Sequence, residues 1–382
     1  MREVVIVEAV RTPVGKRKGL LSTVRPDDMA AKVLKELVNR SGIEASLVED
    51  VIMGCVSQVE EQGLNIARTA VLQADFPIGV PGTTIDRQCG SGQQAVHFAT
   101  QAIASGDMDI VIAGGVESMS RVPMGATRQK SDWSKEVTSR YEMIHQGLSA
   151  ERISEKWGYS RTQLDEFSLE SHRRALQAQE EGRFDREIMP FEVTLEDGTT
   201  TVVTQDEGPR KGTSLEKLGS LKPAFSENGV IHAGNASQMS DGSAAILLMS
   251  KDKALELGLK PRFRVVARKV VGSDPTLMLT GPIEATKQVL NKAGLTIDDI
   301  DLYEVNEAFA PVPMCWLDEI KADPAKLNVN GGAIALGHPL GASGARVMIT
   351  LMHELERTGG RYGLQAICEG GGMANATIIE RI

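Results

Sequence analysis

Two cysteines, a histidine and an asparagine stand in surroundings that suit covalent and proton-transfer chemistry. Cys89 opens Cys89-Gly90-Ser91-Gly92, between an expected strand over 83–85 and an expected helix over 93–104. At the first turn of a helix, exposed amides and the helix dipole favour a thiolate over a thiol, so a nucleophile is expected there. A free cysteine is ordinarily a small buried hydrophobe, and the flanking Gly90, Ser91 and Gly92 weigh against that reading. His338 lies in Gly337-His338-Pro339, clamped in a turn before a helix. Histidine titrates near neutrality, so proton transfer is expected; the alternative is a turn histidine that bonds local carbonyls. Cys368 precedes Glu369-Gly370-Gly371-Gly372, a run that can point successive amides at one atom, as an oxyanion hole requires. Its alternative is a strand-end cysteine before a flexible turn. Asn306 follows an expected strand over 302–305, the edge where α/β proteins present ligand groups. There it would orient a water or an oxyanion, or serve as a helix cap. His97, mid-helix, and His172, in a charged stretch, are read as structural. The sequence has no G-x-x-x-x-G-K-[ST] loop, no G-x-S-x-G elbow and no H-E-x-x-H or C-x-x-C pair, so nothing asks for a metal.

The elements that must position these residues read as α/β. Strands are expected over 4–7 and 51–53 with a helix over 29–37 between them, and again over 263–266 and 302–305 with a helix over 282–293. Leu37-Val38-Asn39-Arg40-Ser41-Gly42-Ile43 is similar to Val289-Leu290-Asn291-Lys292-Ala293-Gly294-Leu295, which points to a duplicated α/β half. In the first half, the Cys89 turn leads into an alanine-rich helix and a strand over 110–113. In the second, His338 opens a helix running to Leu355, and a strand over 364–368 delivers Cys368. The texture changes between Met119 and Gln238, with charged helical stretches such as 163–181. That insertion of about 120 residues is too long to be a structureless loop and is expected to cover the site. The expected division is a first half over 1–118 completed by 239–260, an inserted domain over 119–238, and a second half over 261–382.

Composition bounds the function. The chain has 382 residues, enough for two or three domain-sized units. Its formal net charge of -9 suggests neither nucleic acid nor an anionic membrane as a partner, so an anionic ligand must use a local basic patch. The apolar run at the N-terminus is too short for a signal-peptide core and no segment reaches membrane-spanning length, so a cytoplasmic enzyme is expected. Cys55, Cys89, Cys315 and Cys368 are widely spaced and are expected to be reduced thiols.

Taken in order, Cys89-Gly90-Ser91-Gly92, Asn306-Glu307-Ala308-Phe309, Gly337-His338-Pro339 and Cys368-x-Gly370-Gly371-Gly372 resemble the thiolase family. Supporting stretches are Arg11-Thr12-Pro13, Ala113 to Ser120 and Ala233-Gly234-Asn235-Ala236-Ser237, and the likeness runs from Val4 to the C-terminus. The resemblance implies duplicated α/β halves forming a layered α-β-α-β-α core, an inserted loop domain for coenzyme A, and a homodimer or homotetramer. It implies a substrate, acyl-CoA with CoA, and no permanently bound cofactor. By similarity, Cys89 accepts the acyl group, His338 activates it, and Cys368 moves the proton at the α-carbon of the acetyl unit. Asn306 and His338 would hold a water for one oxyanion, and the amides of Cys89 and Gly370 would receive the other. Arg210, Phe225 and Ser237 match coenzyme A positions and His145 matches a loop-domain histidine near the acyl end, with Arg210, Lys211, Lys217 and Lys222 countering phosphates.

Three residues depart from the family pattern. Asp86 stands where Asn or Ser is frequent, Glu369 where Ile is frequent, and Gln146 where short-chain acetoacetyl enzymes carry Met. An acidic neighbour pointing inward raises a cysteine's pKa, so Asp86 and Glu369 are expected to point away or be paired. Gln146 and Glu369 together suggest an acyl pocket for substrates longer than acetoacetyl-CoA. The competing readings are an acetoacetyl-CoA-specific acetyltransferase, a decarboxylating ketoacyl synthase, which would carry a second histidine where Cys368 stands, and a non-catalytic acyl-CoA-binding relative.

Overall fold

The apolar stretch Val4–Arg11 is buried at every position but Glu8, as befits a strand covered on both faces. In the computed structural model, which describes residues 2–129 and 131–382, this strand joins two halves. It pairs antiparallel with Ser240–Ser250 on one side and with Phe263–Gly272 on the other. The resulting mixed sheet runs in the order Leu302–Val305, Tyr362–Glu369, Met373–Arg381, Phe263–Gly272, Val4–Arg11, Ser240–Ser250, Ile110–Ser118, Asp50–Gly54, Thr83–Ile85. The short strand Gly15–Lys16 adds to Ser240–Ser250.

Three helical layers sandwich the two halves of this sheet. Met29, Val33, Leu34 and Leu37 of the helix Pro26–Ser41 cover the outer face of the first half, meeting Val5, Val51, Ile112 and Leu247. Ala285, Val289 and Leu290 of the helix Gly281–Ala293 cover the outer face of the second, meeting Ala267, Leu364, Ala376 and Ile378. These two helices end at Gly42 and Gly294, both left-handed, where the repeated heptapeptides align. Between the halves lie Ser91–Ser105 and Leu340–Thr358. The second of these is buried without a break from Leu340 to Leu355, as a helix with protein on all sides must be. The layering is α-β-α-β-α.

The two central helices touch through glycine. A Cβ on Gly344 would fall 2.0 Å from the Gln93 amide, and one on Gly92 would fall 2.8 Å from the Ala345 amide and the Gly341 carbonyl. No side chain fits between backbones this close. Because Cys89 precedes one helix and His338 precedes the other, this contact sets where the two reactive turns lie.

The stretch 119–238 divides in two. Gln146–Trp157 and the long helix Arg161–Glu180, started by a Ser160/Gln163 capping box, send Ala150, Ile153 and Leu164 into a cluster with Phe309, Cys315 and Cys368. The hairpin of Phe191–Thr194 with Thr200–Val203 packs Phe191, Val193 and Val203 against the first half's outer layer instead. The helical part therefore adjoins Cys368, and the hairpin lies away from it. Among the described residues no helix is long and apolar enough to cross a membrane.

A buried ion triad ties the first strand to the inserted stretch. Arg11 donates from Nε to Glu187 at 2.8 Å and from Nη1 and Nη2 to Asp206 at 2.7 and 2.9 Å, and all three side chains are fully buried. The same Asp206 receives the Val14 amide at 2.7 Å. Removing one member of such a group strands an uncompensated charge in the interior. Asp206→Ala is expected to cost about 3 to 5 kcal/mol, read from denaturant unfolding; a loss below about 1 kcal/mol would show that the triad contributes little.

Candidate active site

Cys89 stands on a tight turn between the strand Thr83–Ile85 and the helix Ser91–Ser105. The turn is held by short polar links: Gln88 N donates to Asp86 Oδ1 at 2.7 Å, Arg87 N to Ser91 Oγ at 2.8 Å, and Ser91 Oγ to the Gln88 carbonyl at 2.6 Å. Gln88 adopts φ 48°, a left-handed conformation that a residue with a Cβ rarely takes and that recurs at functional turns. Asp86 is exposed and occupied by Gln88, so its expected outward orientation holds.

The state of the sulfur differs from expectation. The helix begins two residues later, at Ser91, and Cys89 is buried. Burial pushes its thiol up to about 12, with the charges of Glu369, Glu117 and Asp86 adding to it. Desolvation outweighs the helix dipole, so the resting group is a thiol that needs a base.

A candidate base lines the same cavity as Cys89. His338 is buried in the turn that enters the helix Leu340–Thr358. Its Nδ1 lies 2.6 Å from Ser343 Oγ, and Ser343 donates its only proton to the Pro339 carbonyl at 2.8 Å. Ser343 must therefore accept from Nδ1–H, which leaves the lone pair on Nε2. Asn306 Nδ2 donates to that Nε2 at 3.3 Å. Burial, helped by the charge of Arg346, lowers the imidazole to about 3, so it is neutral and able to accept a proton.

Asn306 follows the strand Leu302–Val305, and its amide N–H bonds the Ala366 carbonyl. The next helix begins only at Pro311, so Asn306 is no helix cap. Among the described residues its buried Oδ1 has no partner, which leaves it able to hold a water. Cys368, fully buried near the end of Tyr362–Glu369, has its thiol pushed well up by burial, then by Cys89 and Glu369. The glycine run that follows turns back with φ 85° at Gly371 and 82° at Gly372. A Cβ on Gly370 would sit 3.2 Å from Gln88 Oε1, so this run abuts the Cys89 turn.

Glu369 does not point away. Neighbours on a strand face opposite sides; with Cys368 turned into the cluster of Ala308 and Phe309, Glu369 turns toward the Cys89 turn. It is fully buried and, among the described residues, neither oxygen has a partner. Burial raises its carboxyl to about 9.

A cavity of about 260 Å³ opens on Cys89 and His338. Met119, Met124, Phe225, Met239, Phe309 and Leu340 make its wall largely apolar, and His145 and Gln146 lie in it too. Phe225 stacks on His145, with centroids 5.2 Å apart, and meets Phe309 edge-on at 5.9 Å. Ala236, Ser237, Gln238 and Met239 are shared with an outer cleft of about 560 Å³ that Lys16, Arg17, Arg210 and Lys211 line. Phe225 and His145 are thus at the inner end, Ser237 at the junction and Arg210 at the outer end. Lys217 and Lys222 are absent from this lining; Lys217 donates instead to the Gly212 carbonyl. Their places are taken by Lys16 and Arg17, which no local pattern connects with Arg210.

The remaining histidines near these elements are engaged structurally. His97 bonds Thr377 Oγ1 at 2.7 Å, His172 accepts the Arg210 amide at 3.2 Å, and His232 bonds Asp165 at 2.7 Å. Sequence reasoning missed Glu117, whose buried carboxylate receives Val56 N, Ser57 N, Gln62 Nε2 and Gly341 N at 2.9 to 3.0 Å. It thereby links the first half to the start of the helix that follows His338.

Comparison with known proteins places the chain in one family over nearly its whole length. A family model described as the thiolase N-terminal domain matches residues 4–252, and one described as the thiolase C-terminal domain matches 259–381. A steroid 3-ketoacyl-CoA thiolase of Mycobacterium tuberculosis is 50% identical, over 100% of this chain and 95% of its own. A 3-ketoacyl-CoA thiolase of Aliivibrio fischeri is 45% identical over the whole of both chains. The crystal structure of the Bacillus anthracis acetyl-CoA acetyltransferase superposes with a TM-score of 0.93 at 41% identity, covering 100% of this chain and 99% of that one.

With a folded-state value of about 3, His338 is expected to stay neutral from about pH 8 to about pH 5, whereas an unperturbed imidazole titrates near 6.5. Ring-nitrogen NMR shifts assigned through a His338→Gln control check this; an inflection between those limits would contradict it. The sign for stability follows. Below about pH 6.5 the unfolded chain takes up protons at His97 and His338 that the folded chain refuses until about pH 3, so these two residues lower stability as pH falls through that window.

Proposed function

The chain belongs to the thiolase family, and on that premise we propose a division of labour among the residues its fold collects. The reaction itself is CoA-dependent cleavage of a 3-ketoacyl-CoA to acetyl-CoA and a shortened acyl-CoA, or the reverse condensation, which makes the protein an acyltransferase. The neutral His338 with its lone pair on Nε2, sharing a cavity with the Cys89 thiol, is the observation that carries the assignment.

In the cleavage direction, Nε2 of His338 takes the Cys89 proton as the sulfur attacks the 3-keto carbon. A thiol raised by burial beside an imidazole near 3 does not ionise in advance, so proton transfer accompanies the attack. Breaking the bond between carbons 2 and 3 leaves the shortened acyl group on Cys89, and the electron pair passes to the acetyl-CoA carbanion. Cys368 supplies that carbanion's proton. After acetyl-CoA departs, the thiol of a second CoA loses its proton to the Cys368 thiolate and attacks the acyl-Cys89 thioester. Cys89 leaves and recovers its proton from His338. Splitting the step through a covalent thioester lowers each barrier. A water held by Asn306 and His338 stabilises one oxyanion, supported by the unpartnered Asn306 Oδ1. The amides of Cys89 and Gly370 stabilise the other, supported by the contact of Gly370 with the Cys89 turn.

The pantetheine arm runs past Ser237 between Phe225 and the outer cleft, where Lys16, Arg17, Arg210 and Lys211 meet the phosphates. The halves 1–118 with 239–260 and 261–382 supply the two reactive turns, and 119–238 supplies the CoA side. We assign a homo-oligomer, dimer or tetramer. Thr83–Ile85 ends the sheet with one unpaired edge, and beside it Leu64 and Ile78 are 99% and 84% exposed, features that monomers avoid.

The apolar cavity wall supports an acyl chain longer than that of acetoacetyl-CoA. Gln146 lines the cavity; Glu369, turned against Gly90, contributes nothing to that choice. Each buried methylene contributes about 0.8 kcal/mol, so kcat/KM is expected to rise over the first carbons added beyond four. A steep fall after the four-carbon substrate would make acetoacetyl-CoA the preferred one.

Incubation with acyl-CoA is expected to leave an acyl mass on the Cys89 peptide. Cys89→Ala should abolish it, and Cys368→Ala should keep acylation while losing condensation. A stable adduct on Cys368 reverses the roles. His338→Ala is expected to slow both half-reactions by roughly 10²-fold or more, and near-normal turnover would make His338 a structural residue.

A further inference from the structure

Resting on the thiolase reading above, we propose that Glu369 is a positioning residue whose buried carboxyl, wedged between the Cys89 turn and the end of the strand carrying Cys368, sets the charge that both sulfurs meet.

Placement carries the inference. Glu369 follows Cys368 directly, and a Cβ on Gly90 would fall 1.8 Å from its Oε1, so the carboxyl fills the space above the residue that follows the nucleophile. Both oxygens are buried without a partner among the described residues. A carboxylate taken out of water with nothing to compensate it costs several kcal/mol and takes up a proton instead. The charged and titratable groups facing it are few. The Cys89 turn contributes Asp86, Arg87 and Cys89 itself, and its own strand contributes Cys368. The adjoining strand sets the uncharged Met373 opposite it, and the helix Ser91–Ser105 brings Gln94, bonded to Asn375. Among the described residues, Arg87 is the one cation that favours the ionised form. Among the described residues it makes no ion pair with Glu369, and its buried Nε has no partner.

The consequence concerns the sulfur. Burial raises the Cys89 thiol first and the Glu369 charge second, and the second contribution exists only once Glu369 has lost its proton, near pH 9. An ordinary thiol below its pKa reacts about tenfold faster per pH unit, following its thiolate fraction. Cys89 should follow that line at neutral pH and fall below it as Glu369 ionises.

The test uses the full-length protein. Iodoacetamide alkylation of Cys89, followed by peptide mass from about pH 7 to about pH 10, is expected to lose its unit slope near the Glu369 titration. Glu369→Gln, an isosteric uncharged amide, should restore the unit slope. It should also raise the ratio of alkaline to neutral kcat/KM for thiolysis at least about threefold. A unit slope throughout in the wild-type protein overturns the proposal without recourse to any variant. The same break persisting in a folded Glu369→Gln overturns it as well. Acylation of Cys89 by acyl-CoA, measured on the same preparation, separates the two levels. An adduct with an unbroken slope removes only the role of Glu369, and no adduct removes the thiolase assignment of Cys89 together with it.

Discussion

Everything in this site depends on holding two turns from opposite halves of the chain within reach of one substrate, and the carboxylate of Glu117 is the group that links them. It accepts backbone amides from Val56 and Ser57 in the first half and from Gly341 in the second, with Gln62 as a fourth donor. A buried carboxylate is tolerated only when its lone pairs are met, so none of these donors can drift without exposing it. The glycine contact between the central helices sets the distance between the halves, and Glu117 sets their register. Cys89 and His338, at the starts of those helices, inherit both.

The site so assembled is buried and carries little formal charge at rest. The Cys89 and Cys368 thiols are raised by burial and His338 is lowered by it, so each catalytic group is in its neutral form. Charge appears only as the reaction proceeds, and donors already in place within a buried pocket then stabilise it most effectively. The neutral histidine is also a directed one. Ser343 fixes the proton on Nδ1 through its own bond to Pro339, so the base points its lone pair in one direction. Net negative charge over the whole chain is no obstacle to an anionic ligand, because four basic side chains converge at the outer cleft.

Much of the architecture was legible locally. The strand over 302–305 is Leu302–Val305 to the residue, and the charged stretch over 163–181 is the helix Arg161–Glu180. The related heptapeptides end two helices that cover opposite outer faces, so the duplication was visible as a repeated cap and strand. Boundaries moved where turn and helix merge: Ser91, read as part of the turn, begins its helix while its hydroxyl ties back to Arg87 and Gln88. The inserted stretch, read as one lid, proved to serve two places, because alternation in Phe191–Thr194 buries Phe191 and Val193 against a layer remote from the site.

By itself the sequence determined which residues are chemically able and which elements carry them, since hydrophobic period, turn glycines and motif order are local properties. Cys89, His338, Cys368 and Asn306 were readable on those terms. Only the tertiary structure decided their ionisation, because desolvation depends on what packs above a group, and packing here overrode the helix dipole that favoured a thiolate at Cys89. It alone turned Glu369 inward, since the face on which a strand residue lies follows from register with Met373–Arg381 and from the space that Gly90 leaves open. It alone joined Lys16 and Arg17 to Arg210, because a basic patch drawn from distant segments exists only once the chain has closed.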